Sequence, residues 1–150
     1  MIIKILTTLI IAMAPVLELR AAIPFGVASG LDIWLSILIS IVGNIIPVPF
    51  IILFVEAIFK WMRRYPRFEK IVLKMEAKAN KRRHIIDKYG YWGLFVLVSI
   101  PLPGTGAWTG SLIAALFHLD IKKCFKFICF GIICAAITVS VITYGVTNII

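Results

Sequence analysis

PVLELRAAIPFGVASGLD, residues 15–32, interrupts an apolar run with two prolines, two glycines and charged side chains where a membrane helix would continue. A second interruption, PGTGAWTGSLIAALFHLD, follows 88 positions later at residues 103–120. Irregular backbone is tolerated at membrane depth where it is buried in protein or lines a cavity, and paired interruptions in two halves indicate a transport site. The two stretches therefore predict a small membrane transporter or lipid carrier.

The composition excludes an ordinary soluble domain. Hydrophobic residues make up 61% of the chain and charged residues 15%, against about 25% charged in typical soluble domains. At 150 residues the chain has room for one domain. We therefore expect a single membrane domain over residues 1–150, located in the cell membrane.

Most of the net charge of +9 lies in residues 60–88. A basic stretch can bind nucleic acid, but between two apolar halves the positive-inside rule is the simpler explanation. We expect residues 60–89 to be a cytoplasmic linker, with no nucleic-acid partner.

Four apolar segments are about half as long as the roughly 20 helical residues that cross a bilayer. They are Ile2–Ala14, Ala21–Leu31, Tyr91–Leu102 and Ala107–Leu119. Residues 15–20 (the first tip) join the first pair, and residues 103–106 (the second tip) join the second pair. Two half-length helices joined by a polar tip describe a re-entrant hairpin. A cleaved signal peptide is the alternative for residues 1–14, but the apolar sequence continues beyond it without a small-residue cleavage site.

Two further segments, Ile33–Phe59 and Cys124–Ile150, are long enough to cross the membrane. Residues 1–59 and 90–150 then form two halves, each a re-entrant hairpin followed by one full transmembrane helix. Such a half crosses the membrane once, so the second half must be inverted relative to the first. The sequence thus predicts an all-α, multi-pass inverted repeat.

Charge and sequence matches support this repeat. The exit of the second hairpin carries Lys122, Lys123 and Lys126, whereas residues 30–34 carry no lysine or arginine. The first exit and both termini are therefore expected outside. At the 88-residue offset Pro15 matches Pro103, Asp32 matches Asp120 and Gly43 matches Gly131. Both aspartates precede a predicted span and are expected to be helix N-caps, with ion coupling as the alternative.

The linker carries an amphipathic pattern. Pro66 suits the first turn of a helix, and apolar residues recur at helical spacing among lysines. They are Phe68, Val72, Met75, Ala79 and Ile86. The pattern predicts a helix that lies on an anionic leaflet, and a solvated linker helix is the alternative.

Glu18 and Arg20 are the candidate coupling residues. A charge at the bilayer centre costs about 2.5–3.5 kcal/mol on insertion scales, so it indicates function. Burial favours the neutral carboxylic acid of Glu18 and a nearby Arg20 favours the carboxylate, a balance that suits proton exchange. Arg20 can make forked contacts with a carboxylate or phosphate substrate. A structural ion pair, or tip residues near the headgroups, is the alternative.

The second hairpin offers a candidate anion site. Its glycines expose backbone N–H groups at a helix start, with hydroxyls and an indole beside them; close helix packing through small residues is the alternative. The candidate substrate-binding or proton-coupling residues are Glu18, Arg20, Pro24, Pro103, Gly104, Thr105, Gly106, Trp108, Thr109 and Gly110.

The motifs Glu18-x-Arg20-x-x-x-Pro24 and Pro101-x-Pro103-Gly104-x-Gly106-x-Trp108-x-Gly110 resemble the small multidrug export protein family. The resemblance covers nearly the whole chain and extends distantly to the DedA and VTT-domain membrane proteins. It implies proton-dependent transport, or flipping of lipids such as polyprenyl phosphates. DedA-like proteins carry an acidic residue in the first hairpin, which Glu18 matches, and arginines in the second. Residues 101–120 contain no arginine, so Arg20 would have to supply the basic partner.

Three functional classes remain open. The first is proton-coupled export of a small or amphiphilic solute. The second is lipid or polyprenyl-phosphate translocation, and the third is a non-transporting membrane scaffold. The sequence contains no nucleophile–base pair, metal-ligand cluster or phosphate loop, so we expect neither an enzyme nor a cofactor. Membrane lipids are expected partners, and because one copy encloses little volume we also expect a homo-oligomer, at least a dimer.

Overall fold

The computed structural model describes residues 1–102 and 104–147. Within these ranges the regular structure is entirely helical, without strands, and the predicted all-α class is confirmed. The helices are α1 (Ile2–Met13), α2 (Glu18–Ala28), α3 (Ile33–Ile45), α4 (Pro47–Met62), α5 (Pro66–Lys81), α6 (Arg83–Tyr89), α7 (Tyr91–Ser99), α8 (Ala107–Leu116) and α9 (Ile121–Thr147).

The helix lengths follow the apolar segments. Helices α1, α2, α7 and α8 have 12, 11, 9 and 10 residues, too few to cross a bilayer. Two helical segments in the described ranges, Ile33–Met62 and Ile121–Val146, are long and apolar enough to do so. The second agrees with the predicted span at 124–150, whose residues 148–150 lie outside the described residues.

The first of these segments is divided. Helices α3 and α4 meet at Ile46, whose own backbone is helical (φ −52°, ψ −49°). Pro47 begins α4 there, because proline has no N–H to donate and its ring clashes with the preceding turn of a helix. The predicted span at 33–59 is therefore two helices in series.

The linker differs from the prediction of one helix. It contains α5 and α6, separated at Arg82 (φ −99°, ψ −2°), with Pro66 at the start of α5 as expected. Val72 and Ala79 are fully buried in the same core as residues of α4 and α8, whereas Phe68 is exposed. The inner part of the apolar face is thus covered by protein, which places the basic helix against α4 and α8.

Two groups of helices form the domain. Helices α1, α2 and α3 pack against one another and form the first group, and helices α7, α8 and α9 form the second. Contacts of α2 with α9 and of α4 with α8 connect the two groups. Glycines allow close approach at two contacts: a Cβ added at Gly43 would lie 2.7 Å from Ala12 Cβ, and one at Gly131 would lie 2.7 Å from Val98 Cβ. Close packing through small residues is a principal source of helix association in membranes.

Both aspartates that precede the long segments are N-caps, as predicted. Asp32 Oδ2 accepts hydrogen bonds from Trp34 N (2.9 Å) and Leu35 N (3.4 Å). Asp120 Oδ1 accepts one from Lys123 N (3.1 Å). These side chains satisfy backbone N–H groups that have no partner in the first helical turn.

Replacing Asp32 by Ala is expected to lower the free energy of unfolding by about 1 kcal/mol, the usual value of an N-cap. Asp32→Asn keeps an acceptor oxygen and is expected to retain most of that stability. Thermal unfolding in detergent, followed by far-UV circular dichroism, compares the two variants. Equal melting of Asp32→Ala and wild type would contradict the capping role.

Candidate functional site

Glu18 begins α2 at the end of the first tip. Its backbone has φ +49°, a left-handed conformation that is uncommon for a residue with a side chain. Its N–H donates to Ala14 O at 3.1 Å, which closes the turn after α1. The side chain is directed inward and only 3% of the residue is exposed. The interruption of the first apolar run therefore places a carboxylate inside the protein.

The Glu18 carboxylate lies at the N-terminus of α8. Its Oε1 accepts a hydrogen bond from Trp108 N at 3.1 Å. The first N–H groups of a helix lack partners within the helix, and a negative charge there is favourable for the helix dipole. Gly106 precedes α8 with φ +115°, and a Cβ at this position would overlap with the Glu18 carboxylate. Glu18 thus caps a helix far away in the sequence, since Trp108 lies 90 positions later in the chain.

Arg20 binds backbone carbonyls at the second tip. Its Nη2 donates to Thr105 O at 2.6 Å and lies 3.1 Å from Thr105 Oγ1, and its Nη1 donates to Leu102 O. The same Nη2 is 3.8 Å from Glu18 Oε2. The ion pair considered from the sequence is therefore present, and both of its members also bind residues of the segment that ends α7 and begins α8.

In a third contact the side chain comes from α8 and the backbone group from the end of α1. Trp108 Nε1 donates to Met13 O, at the end of α1, at 3.0 Å. Within the second hairpin Thr109 Oγ1 donates to Gly104 O at 3.2 Å. Side chains from each interrupted pair of helices thus satisfy backbone groups of the other.

The predicted candidates separate into two groups. Seven of them meet around the contacts just described: Glu18, Arg20, Gly104, Thr105, Gly106, Trp108 and Thr109. Pro24 lies within α2 on an exposed face. Gly110 packs against α7, where a Cβ would come within 2.9 Å of Val98 Cγ2, so this glycine serves close packing. Pro103 lies outside the described residues.

Lys78 is a neighbour of this cluster that sequence reasoning missed. A Cβ built at Gly104 would lie 3.6 Å from Lys78 Nζ, and the ammonium group attracts the Glu18 carboxylate. Helix α5 packs against α8, and Lys78 lines one cavity together with Pro15 and Trp108, which places this part of α5 beside the tips. The pattern of the linker gave no reason to separate Lys78 from its other lysines. Together Glu18, Arg20 and Lys78 leave one net positive charge at the tips.

A cavity of about 620 Å³ adjoins the cluster, within the 300–1,000 Å³ typical of small-molecule sites. Its walls come from the first tip, α4, α5 and α8, and they are mainly apolar. The lining residues are Pro15, Val16, Pro47, Phe50, Ile51, Phe54, Val55, Ile58, Phe59, Met62, Met75, Lys78, Trp108, Thr109 and Leu112. Among these, Lys78 is the single charged side chain.

A second apolar cavity of about 740 Å³ lies between α3 and α9, away from the tips. In the part of the chain that the structure describes, His, Cys, Asp and Glu side chains do not gather in groups of three or more that could hold a metal ion. The cluster of Glu18, Arg20 and Lys78 at the tips is consequently the candidate functional site.

Comparison with known proteins gives one finding. Neither the curated proteins nor the solved structures gave a match. A family model with the description "Putative small multi-drug export protein" matches residues 18–138, a range that includes both Glu18 and the second tip. That description is of a transporter rather than an enzyme, and the two long apolar segments agree with a membrane location. With four-fifths of its length matched, this chain belongs to the small multi-drug export protein family.

Proposed function

We propose that the chain is a proton-coupled exporter of small amphiphilic solutes and that the two tips form its substrate site. One observation carries the proposal: the buried Glu18 and its neighbour Arg20 bind backbone groups of the second hairpin. Ionisable residues of this kind within a membrane domain mark transport pathways and proton relays. The family match supports export as the class of transport, and these contacts support the tips as its site.

We infer an inverted repeat of two re-entrant hairpins as the frame of this site. Several equivalences at the 88-residue offset support it. Glu18 and Gly106 both have left-handed backbone, as do Gly30 and His118. Asp32 and Asp120 both cap a helix, and Gly43 and Gly131 both pack closely on the first helix of their own half. In this topology residues 60–89 are cytoplasmic and both termini are outside the cell membrane.

Glu18 is the proposed proton carrier. As a carboxylate it accepts from Trp108 N and is attracted by Arg20 and Lys78. Protonation removes the charge, and charge-assisted hydrogen bonds are about twice as strong as neutral ones. The protonated state therefore binds the second hairpin more weakly and releases Arg20 from its anionic partner. We propose that this change loosens the contact between the tips, so that the site becomes accessible from one side of the membrane and then from the other.

Lipid or polyprenyl-phosphate translocation is the second candidate. The observation that favours it is the exposed apolar wall of the cavity, where Val16, Phe50 and Phe54 are each more than half exposed. A cavity with such a wall can open sideways to the hydrocarbon region and admit an acyl chain. A distant relationship to DedA-like proteins would agree with this candidate.

Proteoliposomes distinguish the two candidates. Fluorescent phospholipid and polyprenyl-phosphate analogues are incorporated in both leaflets, and a membrane-impermeant reductant destroys the outer fluorescence. The exporter proposal expects quenching to stop at half and amphiphilic solutes to accumulate under a pH gradient. Quenching that passes half, and is reduced in an Arg20→Gln variant, would overturn the exporter in favour of the lipid translocator.

We propose in addition that the functional unit is a homo-oligomer, at least a dimer, in contact with membrane lipids. The cavity beside the tips has an exposed apolar wall, and a partner copy would shield it. Chemical cross-linking in native membranes is expected to give a dimer band. A monomer band alone, at cross-linker doses that capture a known dimer, would contradict this.

A further inference from the structure

The cavity beside the tips combines one long apolar wall with one cationic end. Phe50, Phe54 and Ile58 lie on the same side of α4, one turn apart, and line the cavity in sequence. Lys78 and Trp108 lie on the α5 and α8 sides. This shape suits a ligand with an extended hydrocarbon part and a compact polar head.

The charge that the cavity offers is positive. The guanidinium of Arg20 is bound to carbonyl oxygens and to Glu18, and the Glu18 carboxylate is 3% exposed and bound to α8. Lys78 is an exposed side chain that forms neither a hydrogen bond nor a salt bridge within the described ranges, and its Nζ lies beside Gly104. The carboxylate is therefore withheld from a ligand, whereas the ammonium group is available to one.

We propose that the cavity binds a single-chain amphiphile with a negatively charged head, with the head at Lys78 Nζ and the chain along α4. The inference rests on the proposed function, because it names the substrate class of that site. A cationic amphiphile would place its charge against Lys78, where like charges repel. The volume of about 620 Å³ suits one alkyl chain with its head, and an apolar wall with one polar group that fixes orientation is the usual design of a small-molecule site.

Fluorescence of Trp108 provides a local measurement. The chain has four tryptophans, and Trp108 is the one that lines this cavity. Replacing Trp34, Trp61 and Trp92 by Phe leaves Trp108 as the sole indole reporter. The protein is placed in zwitterionic phosphatidylcholine nanodiscs and titrated with two probes of equal chain length, ω-bromododecyl sulfonate and ω-bromododecyl trimethylammonium. Bromine quenches indole at contact, and both probes hold a fixed charge.

The sulfonate is expected to quench Trp108 saturably and more tightly than the ammonium probe. Lys78→Gln is expected to weaken sulfonate binding by about tenfold, or about 1.4 kcal/mol, because one charge-assisted contact is lost. Lys74→Gln removes the same charge one turn away, at a residue that does not line the cavity, and is expected to leave the affinity within about twofold, as for a rim charge. Lys78→Glu is expected to reverse the preference between the probes.

Equal quenching by both probes would overturn the inference, and so would equal weakening of sulfonate binding by Lys74→Gln and Lys78→Gln. A third contrary outcome is loss of sulfonate quenching when phosphatidylglycerol replaces part of the phosphatidylcholine. That loss would assign the cavity to a bilayer lipid. Binding is measured here without transport. A chain that binds the sulfonate but moves no solute would therefore contradict the proposed function and leave this inference standing. Transport of solutes without a preference for a negatively charged head group would contradict this inference and leave the proposed function standing.

Discussion

Replacing Glu18 by Gln is expected to abolish transport driven by a pH gradient while the protein still folds. The glutamine keeps an oxygen that can accept from Trp108 N, the contact that Glu18 Oε1 makes at 3.1 Å. It cannot exchange a proton, and it has no charge with which to hold Arg20. Uptake of a labelled amphiphile into inverted vesicles, with and without an imposed pH gradient, measures the effect. The gradient-dependent part should fall to the level of vesicles without protein.

Glu69→Gln is the matched control, since Glu69 is an exposed carboxylate on α5. It should transport as the wild type does. If Glu18→Gln vesicles still accumulate solute in response to the gradient, Glu18 is not the proton carrier. In that event the ion pair with Arg20 has a structural role alone.

Gly106→Ala is expected to cause the largest loss of stability. The alanine would hold a φ of +115°, and its Cβ would overlap with the Glu18 carboxylate, which must then leave the N-terminus of α8. Left-handed backbone costs about 1–2 kcal/mol for a residue with a Cβ, and a lost hydrogen bond to a charged group costs about 1.5–3 kcal/mol. Together we expect about 3 kcal/mol, measured by denaturant unfolding in detergent micelles.

Gly145→Ala tests whether the effect is local. Gly145 lies in α9, and a Cβ added there would meet nothing within 4 Å, so this alanine should be neutral or slightly stabilising. A double-mutant cycle with Glu18→Ala then separates the two causes. The cost of Gly106→Ala should fall once the carboxylate is absent, because only the backbone strain remains. An unchanged cost would contradict the proposed overlap.

The parts of the fold that depend on local sequence could be predicted. The half-length of α1, α2, α7 and α8 follows from the distance between breaks in the apolar runs. Asp32 and Asp120 were identifiable as caps because a capping side chain acts on N–H groups two or three residues away. Pro66 marked the start of α5 for the same reason, since proline is suited to the first turn.

The contacts of the candidate site could not be predicted in this way. Arg20 was considered as a ligand for a phosphate or carboxylate, but its described hydrogen bonds are to Leu102 and Thr105, more than 80 positions away. The spacing of apolar residues cannot predict such a pairing, because it depends on how α2 and the segment before α8 pack together. The position of Lys78 could not be predicted for the same reason. It depends on the burial of Val72 and Ala79 against the other helices, and the linker sequence does not tell whether lipid, solvent or protein covers that apolar face.

If the two tips form one proton-coupled site, protons move together with the solute, and this proton movement is the most direct measurement. Wild-type proteoliposomes loaded with a pH-sensitive dye are given dodecyl sulfonate, whose fixed charge prevents it from carrying protons itself, at equal pH on both sides. We expect a change of internal pH that requires the protein, saturates with sulfonate and is absent in Glu18→Gln. Accumulation of the sulfonate with no change of internal pH would contradict it.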